Sequence, residues 1–289
     1  MKLATFRHHG RSAVGIVDEG HRVVRPVGAE SMLDLIRRWA EAGGGPQGDK
    51  AGAIPLPDVA LEAPIRPFRN VMCVGKNYYD HAHEFAQSGF DSSAATKADA
   101  VPTAPIIFTK PPECVIADGA AIRYPTGVSD SLDYEAELAV VIGTGGRGIR
   151  AADALGYVFG YTIVNDVTAR DWQGRHKQWF LGKSFDTFCP MGPWIVTADA
   201  VDVRDMPVRC WVNDELRQDA NTRDLIFDVP TLIETISAGI TLYPGDVIAT
   251  GTPAGVGIGF TPPKYLKPGD RVRIEIGGIG TLTNPVAAD

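Results

Sequence analysis

Glu135 and Glu137 stand two residues apart in LDYEAELAVVIG, a run that reads as a strand. Strand side chains alternate faces, so the two carboxylates point the same way. Side by side they repel, and a hard cation with oxygen ligands would offset that repulsion. Taken alone the pair would more often be a solvated strand edge. A third carboxylate, Asp166, ends the apolar run GYTIVND, where a strand gives way to a turn and catalytic groups often sit. A lone Asp there would more often cap a helix. Three carboxylates with no Cys/His cluster suit Mg²⁺ or Mn²⁺.

Three further segments could act beside such a cation. In VGKNYYDHAHE, His81 and Glu84 are spaced i, i+3 and share one face of a helical turn. A carboxylate on a histidine fixes its tautomer and stabilises the protonated ring, as a general base requires. His83 falls on another face and reads as a surface residue. In FLGKSFDTFCP, Lys183 interrupts an apolar stretch, either as an exposed turn lysine or as a cation for a carboxylate or developing oxyanion. In IATGTPAGVG, Thr250 and Thr252 sit in a glycine-containing loop whose backbone N–H groups could hold an anion.

The elements that must position these groups are mostly short strands. KLATFRHHGRSAVGIVDEGHRVVRPV reads as a meander ending near Val27. Ser31 is placed to cap a helix with Leu33, Leu35, Ile36 and Trp39 as its apolar positions. A Gly/Pro-rich stretch follows, so a boundary is expected near residue 65, with a small N-terminal β-rich domain (1–65) and a catalytic domain (66–289). Beyond it lie NVMCVG, APIIFTK, ELAVVIG, GYVFGYTIVND, GPWIVTA, VRCWVND, DVIATG and RVRIEI. Glycine (32 residues) and proline (21) are frequent enough for a turn-dense sheet protein. Helical patterns are confined to DHAHEFAQ, the stretch after Asp166, and VPTLIETISAG. No GxxxxGK[ST] fingerprint is present, which disfavours a P-loop nucleotide-binding sheet. Residues 87–104 read as an inserted loop beside the His/Glu cluster, placed to act as a lid.

The 289 residues carry a formal charge of -7 and no basic run, so nucleic acid is not an expected partner. The four cysteines, Cys73, Cys114, Cys189 and Cys210, form no CxxC pair and read as buried free thiols of a reducing compartment. The start, MKLATFRHHG, lacks a signal peptide's apolar core, and no apolar stretch is long enough to span a membrane. A cytoplasmic protein is expected.

Taken in order, GKNYYDHAHE, IIFTKPP, DYEAELAVVIG, GYTIVNDVTARDWQ, FLGKSFDTFCPMGPW and YPGDVIATGTPAGVG resemble the fumarylacetoacetate hydrolase superfamily over about residues 66–286. The resemblance implies an α+β, predominantly β fold, a mixed β-sandwich roll, assembled as a homodimer. It implies that Glu135, Glu137 and Asp166 bind Mg²⁺ or Mn²⁺. Lys183, Gln173 and Thr252 would face the substrate, and His81 with Glu84 would form and activate an attacking water. The longest members have a further aspartate ligand within YTDF. Here the stretch is NYYDH, Asp80 is not assigned to the metal, and the chain groups with the three-carboxylate branch. That branch holds acylpyruvate hydrolases, oxaloacetate decarboxylases and isomerase/decarboxylases of aromatic degradation.

In all of these a bond beside a 2-oxo carboxylate breaks or shifts, and a chelated metal stabilises the charge that forms. The leading expectation is hydrolysis of a C–C bond in a 2,4-dioxo, acylpyruvate-like acid, with His81 as base, Glu84 behind it and Lys183 on the oxyanion. The alternative is a decarboxylase or isomerase of a related diacid of oxaloacetate or hydroxydienoic type. A catalytically inactive, metal-dependent carboxylate-binding protein is the reading from another class.

Overall fold

Three of the apolar runs form the middle of one large sheet. Ala136–Ile142, Val158–Asn165 and Cys189–Thr197 are buried along their whole lengths, which requires cover on both faces. Alternation along Ala136–Ile142 divides that cover. Leu138, Val140 and Ile142 pack with Val208, Cys210, Val272 and Ile274 of a five-stranded sheet. Ala139 and Val141 pack on the opposite face with Leu35 and Ile36 of the helix Met32–Ala42. Ser31 Oγ accepts the Asp34 N–H at 3.1 Å and caps that helix, as its position suggests.

This computed structural model describes residues 1–42, 44–46, 48, 52–89 and 100–288. The sheet expands from the central strands in both directions. Lys2–His8 pairs with Cys189–Thr197, so the meander Lys2–His8, Arg11–Asp18 and Val23–Pro26 continues the same sheet. On the other side come Val247–Ala249, Val71–Gly75 and the edge strand Ile106–Lys110. Val247–Ala249 and Val71–Gly75 run parallel while the central pairs are antiparallel, so the sheet is mixed. The fold is α+β and mainly β, as expected.

The expected helices over DHAHEFAQ and VPTLIETISAG are Tyr79–Gln87 and Val229–Ser237, the latter capped by Asp228 on the Thr231 N–H at 2.9 Å. All four cysteines are free and buried. Among the described residues no helix is long and apolar enough to cross a membrane. Of the segment 87–104 read as a lid, residues 90–99 lie outside the described residues.

Candidate active site

The carboxylates come from the ends of two paired central strands. Ala136 faces Asn165 and Glu137 faces Val164 in the ladder. The junction is tied twice: the Glu135 N–H donates to Asn165 Oδ1 at 3.0 Å, and the Asp166 N–H to the Glu135 carbonyl at 2.9 Å. Alternation puts Glu137 on the face of Ala139 and Val141, and Glu135 turns in beside it. One ligand oxygen from each of Glu135, Glu137 and Asp166 fits within 4.8 Å of the others, and all three residues are buried.

Three buried cations surround the cluster. Lys183, on the short helix Phe180–Lys183, donates to Glu135 Oε2 at 2.7 Å and Asp166 Oδ2 at 2.9 Å. It is 1% exposed, so it is not a solvated turn lysine. Lys110 donates to Asp166 Oδ1 at 2.6 Å. Arg170 donates through Nε to Asp133 Oδ2 at 2.8 Å and through Nη1 to Gln173 Oε1 at 3.1 Å. Its Nη2 forms an ion pair with Glu135 Oε1 at 2.7 Å. Burial pushes the Glu135 carboxyl up, but the Lys183 and Arg170 charges overcome it and hold the group at about 2. Glu137 differs. Its Oε2 accepts the Gly251 N–H at 2.8 Å, and among the described residues it has no ion-pair partner. Burial first, then Asp166 and Glu135, push its carboxyl well above the usual carboxylate range. The chain's own cations therefore leave Glu137 uncompensated, and a divalent cation at the three carboxylates would supply the missing charge. An all-oxygen donor set fits Mg²⁺ or Mn²⁺.

His81 lies on the first turn of Tyr79–Gln87, 4% exposed, with Nδ1 3.1 Å from Glu84 Oε2. The ring stacks on Phe85 one turn later, centroids 6.1 Å apart. His83 and Asp80 are exposed. Glu84 is held in turn by the loop after Val247–Ala249: the Gly255 N–H donates to its Oε1 at 3.0 Å. The same loop gives the Gly251 N–H to Glu137 and the Gly257 and Ile258 N–H groups to Asp133, at 2.6 and 3.0 Å. The loop expected to hold a bound anion thus spends these N–H groups on the protein's own carboxylates. Glycine is required at 255, where φ is +98° and a Cβ would overlap the Arg217 carbonyl; at 259 a Cβ would press on the Glu84 side chain. Thr252 lines the pocket, its Oγ1 accepting from Gln218 Nε2 at 2.8 Å.

His81, Glu135, Glu137, Gln173, Lys183 and Thr252 line one small pocket, with Arg170 and Lys76 in its wall. Glu84 and Asp166 touch it through His81 and Lys183. Phe85, Phe108 and Trp179 form an apolar side, Trp179 meeting the two phenylalanines edge-on at 5.9 and 5.4 Å. Gly75 leaves room for the indole, which a Cβ would strike. The sequence reading missed Arg170, Asp133, Lys110 and this aromatic side. Arg170, Asp133 and Lys110 lie inside ARDWQ, LDYE and IIFTKPP and could have been found there; Trp179 carries no local signal.

Asn77 fixes the two halves of the site to each other. Its buried amide donates to the Thr250 and Phe227 carbonyls at 2.8 and 2.9 Å and accepts the Phe227 N–H at 2.8 Å. Asn77→Ala is expected to cost roughly 1–3 kcal/mol or more, because buried backbone groups lose their partners. Equilibrium unfolding in urea reads this out.

Known proteins resemble this chain along its length. The model of the fumarylacetoacetate (FAA) hydrolase C-terminal family matches residues 70–287. The oxaloacetate tautomerase YisK of Bacillus subtilis is 44% identical over an alignment of 311 residues, covering 99% of this chain and 100% of that one. The solved fumarylacetoacetate hydrolase of Exiguobacterium antarcticum superposes with a TM-score of 0.86 at 44% identity, over 100% of both chains. A maleylpyruvate hydrolase from Sphingobium sp. SYK-6, solved with manganese(II) and pyruvate, superposes with a TM-score of 0.76 at 33% identity, over 100% of this chain and 99% of that one. With its carboxylate strands, His–Glu helix and lysine turn in the expected order, this chain belongs to the fumarylacetoacetate hydrolase family.

Proposed function

We propose that this chain is a metal-dependent tautomerase of a short 2-oxo diacid of the oxaloacetate type. The observation that carries the proposal is the placement of His81, held by Glu84, in the same small pocket as three carboxylates that fit a divalent cation. Keto–enol interconversion needs an acid–base group for one proton and positive charge for one oxygen. The likeness to a relative named an oxaloacetate tautomerase, along its whole length, favours this reaction among those the site could run.

A Mg²⁺ or Mn²⁺ ion held by Glu135, Glu137 and Asp166 would act as a Lewis acid toward the 2-oxo oxygen. Glu84 fixes the His81 ring through Nδ1, leaving Nε2 as the nitrogen for the substrate. Nε2 removes a proton from C3, Glu84 stabilises the resulting imidazolium, and the imidazolium returns that proton to the 2-oxygen, so none is gained or lost. Lys183 and Arg170 supply positive charge for the substrate carboxylates and the developing oxyanion. Gln173 and Thr252 bound the same pocket and contact the diacid. Phe85, Phe108 and Trp179 keep water from that side of the ring.

The test is the rate at which oxaloacetate interconverts between enol and keto forms, followed by enol absorbance, with Mg²⁺ or Mn²⁺ and with chelator. Hydrolysis of an acylpyruvate-like substrate is the second reading, favoured by the maleylpyruvate hydrolase likeness and by the same His81–Glu84 pair. Pyruvate release separates it from tautomerisation. The assembly proposed is a homodimer, the commonest symmetric oligomer. Light scattering at micromolar concentration should give twice the chain mass of 31.0 kDa, and a monomer would refute it.

A further inference from the structure

Lys110 belongs to no group the reaction above uses, yet it is a fully buried lysine 2.6 Å from a proposed metal ligand. It ends the edge strand Ile106–Lys110, and its ammonium has three N–H donors. One goes to Asp166 Oδ1 at 2.6 Å, one to the Val167 carbonyl at 3.1 Å, and one to the Lys183 carbonyl. All three donors are satisfied by protein, so none remains for a substrate.

The two oxygens of Asp166 are thereby made unequal. Lys183 Nζ bridges Asp166 Oδ2 and Glu135 Oε2, so Oδ2 is the oxygen on the Glu135 side. Oδ1 faces Lys110. We infer that Lys110 is a positioning residue that holds Asp166 by Oδ1, so that only Oδ2 is presented to a cation, and ties this ligand to the turn carrying Lys183. The inference rests on the metal reading of the three carboxylates. A carboxylate that bound through both oxygens would fill a coordination position otherwise open to a 2-oxo acid. By holding the Lys183 carbonyl and the Asp166 side chain at one point, Lys110 also fixes the distance between ligand and catalytic lysine.

Lys110→Met keeps the stem and removes the donors. In the folded variant kcat should fall roughly 10–100-fold, the usual scale for loss of a group that orients a metal ligand, with KM changing less. The electron paramagnetic resonance spectrum of bound Mn²⁺ should change as Asp166 rotates. A merely structural lysine would alter the melting temperature and leave the spectrum and kcat untouched, and that result overturns the inference. Because Lys110→Met leaves two carbonyls without a partner, a crystal structure of the unmodified chain soaked with Mn²⁺ gives an independent answer. Asp166 bound through Oδ2 alone, with Lys110 still on Oδ1, supports the inference. Asp166 bound through both oxygens, or Lys110 displaced, overturns it while leaving the metal reading intact. No Mn²⁺ at the three carboxylates overturns both.

Discussion

Glu137→Gln is expected to move stability and activity in opposite directions. In wild-type protein stripped of metal, Glu137 is a buried carboxylate with a backbone N–H and no cationic partner among the described residues. Keeping such a group ionised there, or protonating it at neutral pH, is costly either way. The amide is nearly isosteric and neutral, and can still accept the Gly251 N–H. The variant should therefore melt above wild type in chelator. With Mn²⁺ the order should reverse, since ligand at a hundred times its Kd adds about 2.7 kcal/mol to a protein that binds it. Wild type gains that increment and Glu137→Gln does not. Activity should fall roughly 10³-fold, corresponding to about 4 kcal/mol of transition-state stabilisation by the cation. Thermal melts with and without Mn²⁺, beside turnover on the same preparations, test both signs. A variant that melts lower than wild type in chelator would show that Glu137 is already compensated without metal.

The second large effect concerns His81. Removing the base should lower turnover by roughly 10²-fold or more, while Mn²⁺ affinity hardly changes, because His81 is not a proposed ligand. Glu84→Gln should give a milder loss through a less stabilised imidazolium. The Gly255 N–H to Glu84 Oε1 survives that change, so ring placement is largely kept. Both variants measured at saturating metal, with binding followed by calorimetry, distinguish loss of the base from loss of the cation. Turnover that persists in His81→Ala would mean another group moves the proton.

Much of the site could be read from local periodicity. Two-residue alternation placed Glu135 and Glu137 together, the strand end placed Asp166, and i, i+3 spacing placed His81 on Glu84. What could not be read is what depends on distant pairing. Lys110 reaches Asp166 across 56 positions, and Arg170 meets Asp133 across 37. Lys2–His8 joins the central sheet through Cys189–Thr197, a register no local pattern encodes. The loop 251–258 illustrates a different limit. Its glycines marked it as rich in free N–H donors, but only the folded structure shows those donors turned toward Glu84, Glu137 and Asp133. The choice between reactions was hidden for a chemical reason. A histidine on a glutamate beside a cation site serves proton transfer and water activation equally, so the residues that mark the family do not select the product.

The most direct test of the account is oxaloacetate itself, mixed as its enol with purified protein. With Mg²⁺ or Mn²⁺ the loss of enol absorbance should accelerate well above the buffer-and-metal rate, revert on chelation, and fail in His81→Ala. Oxaloacetate should remain quantitatively recoverable, without matching release of pyruvate. No acceleration of the interconversion, with an acylpyruvate cleaved to pyruvate by the same preparation, would contradict the tautomerase reading and place hydrolysis first.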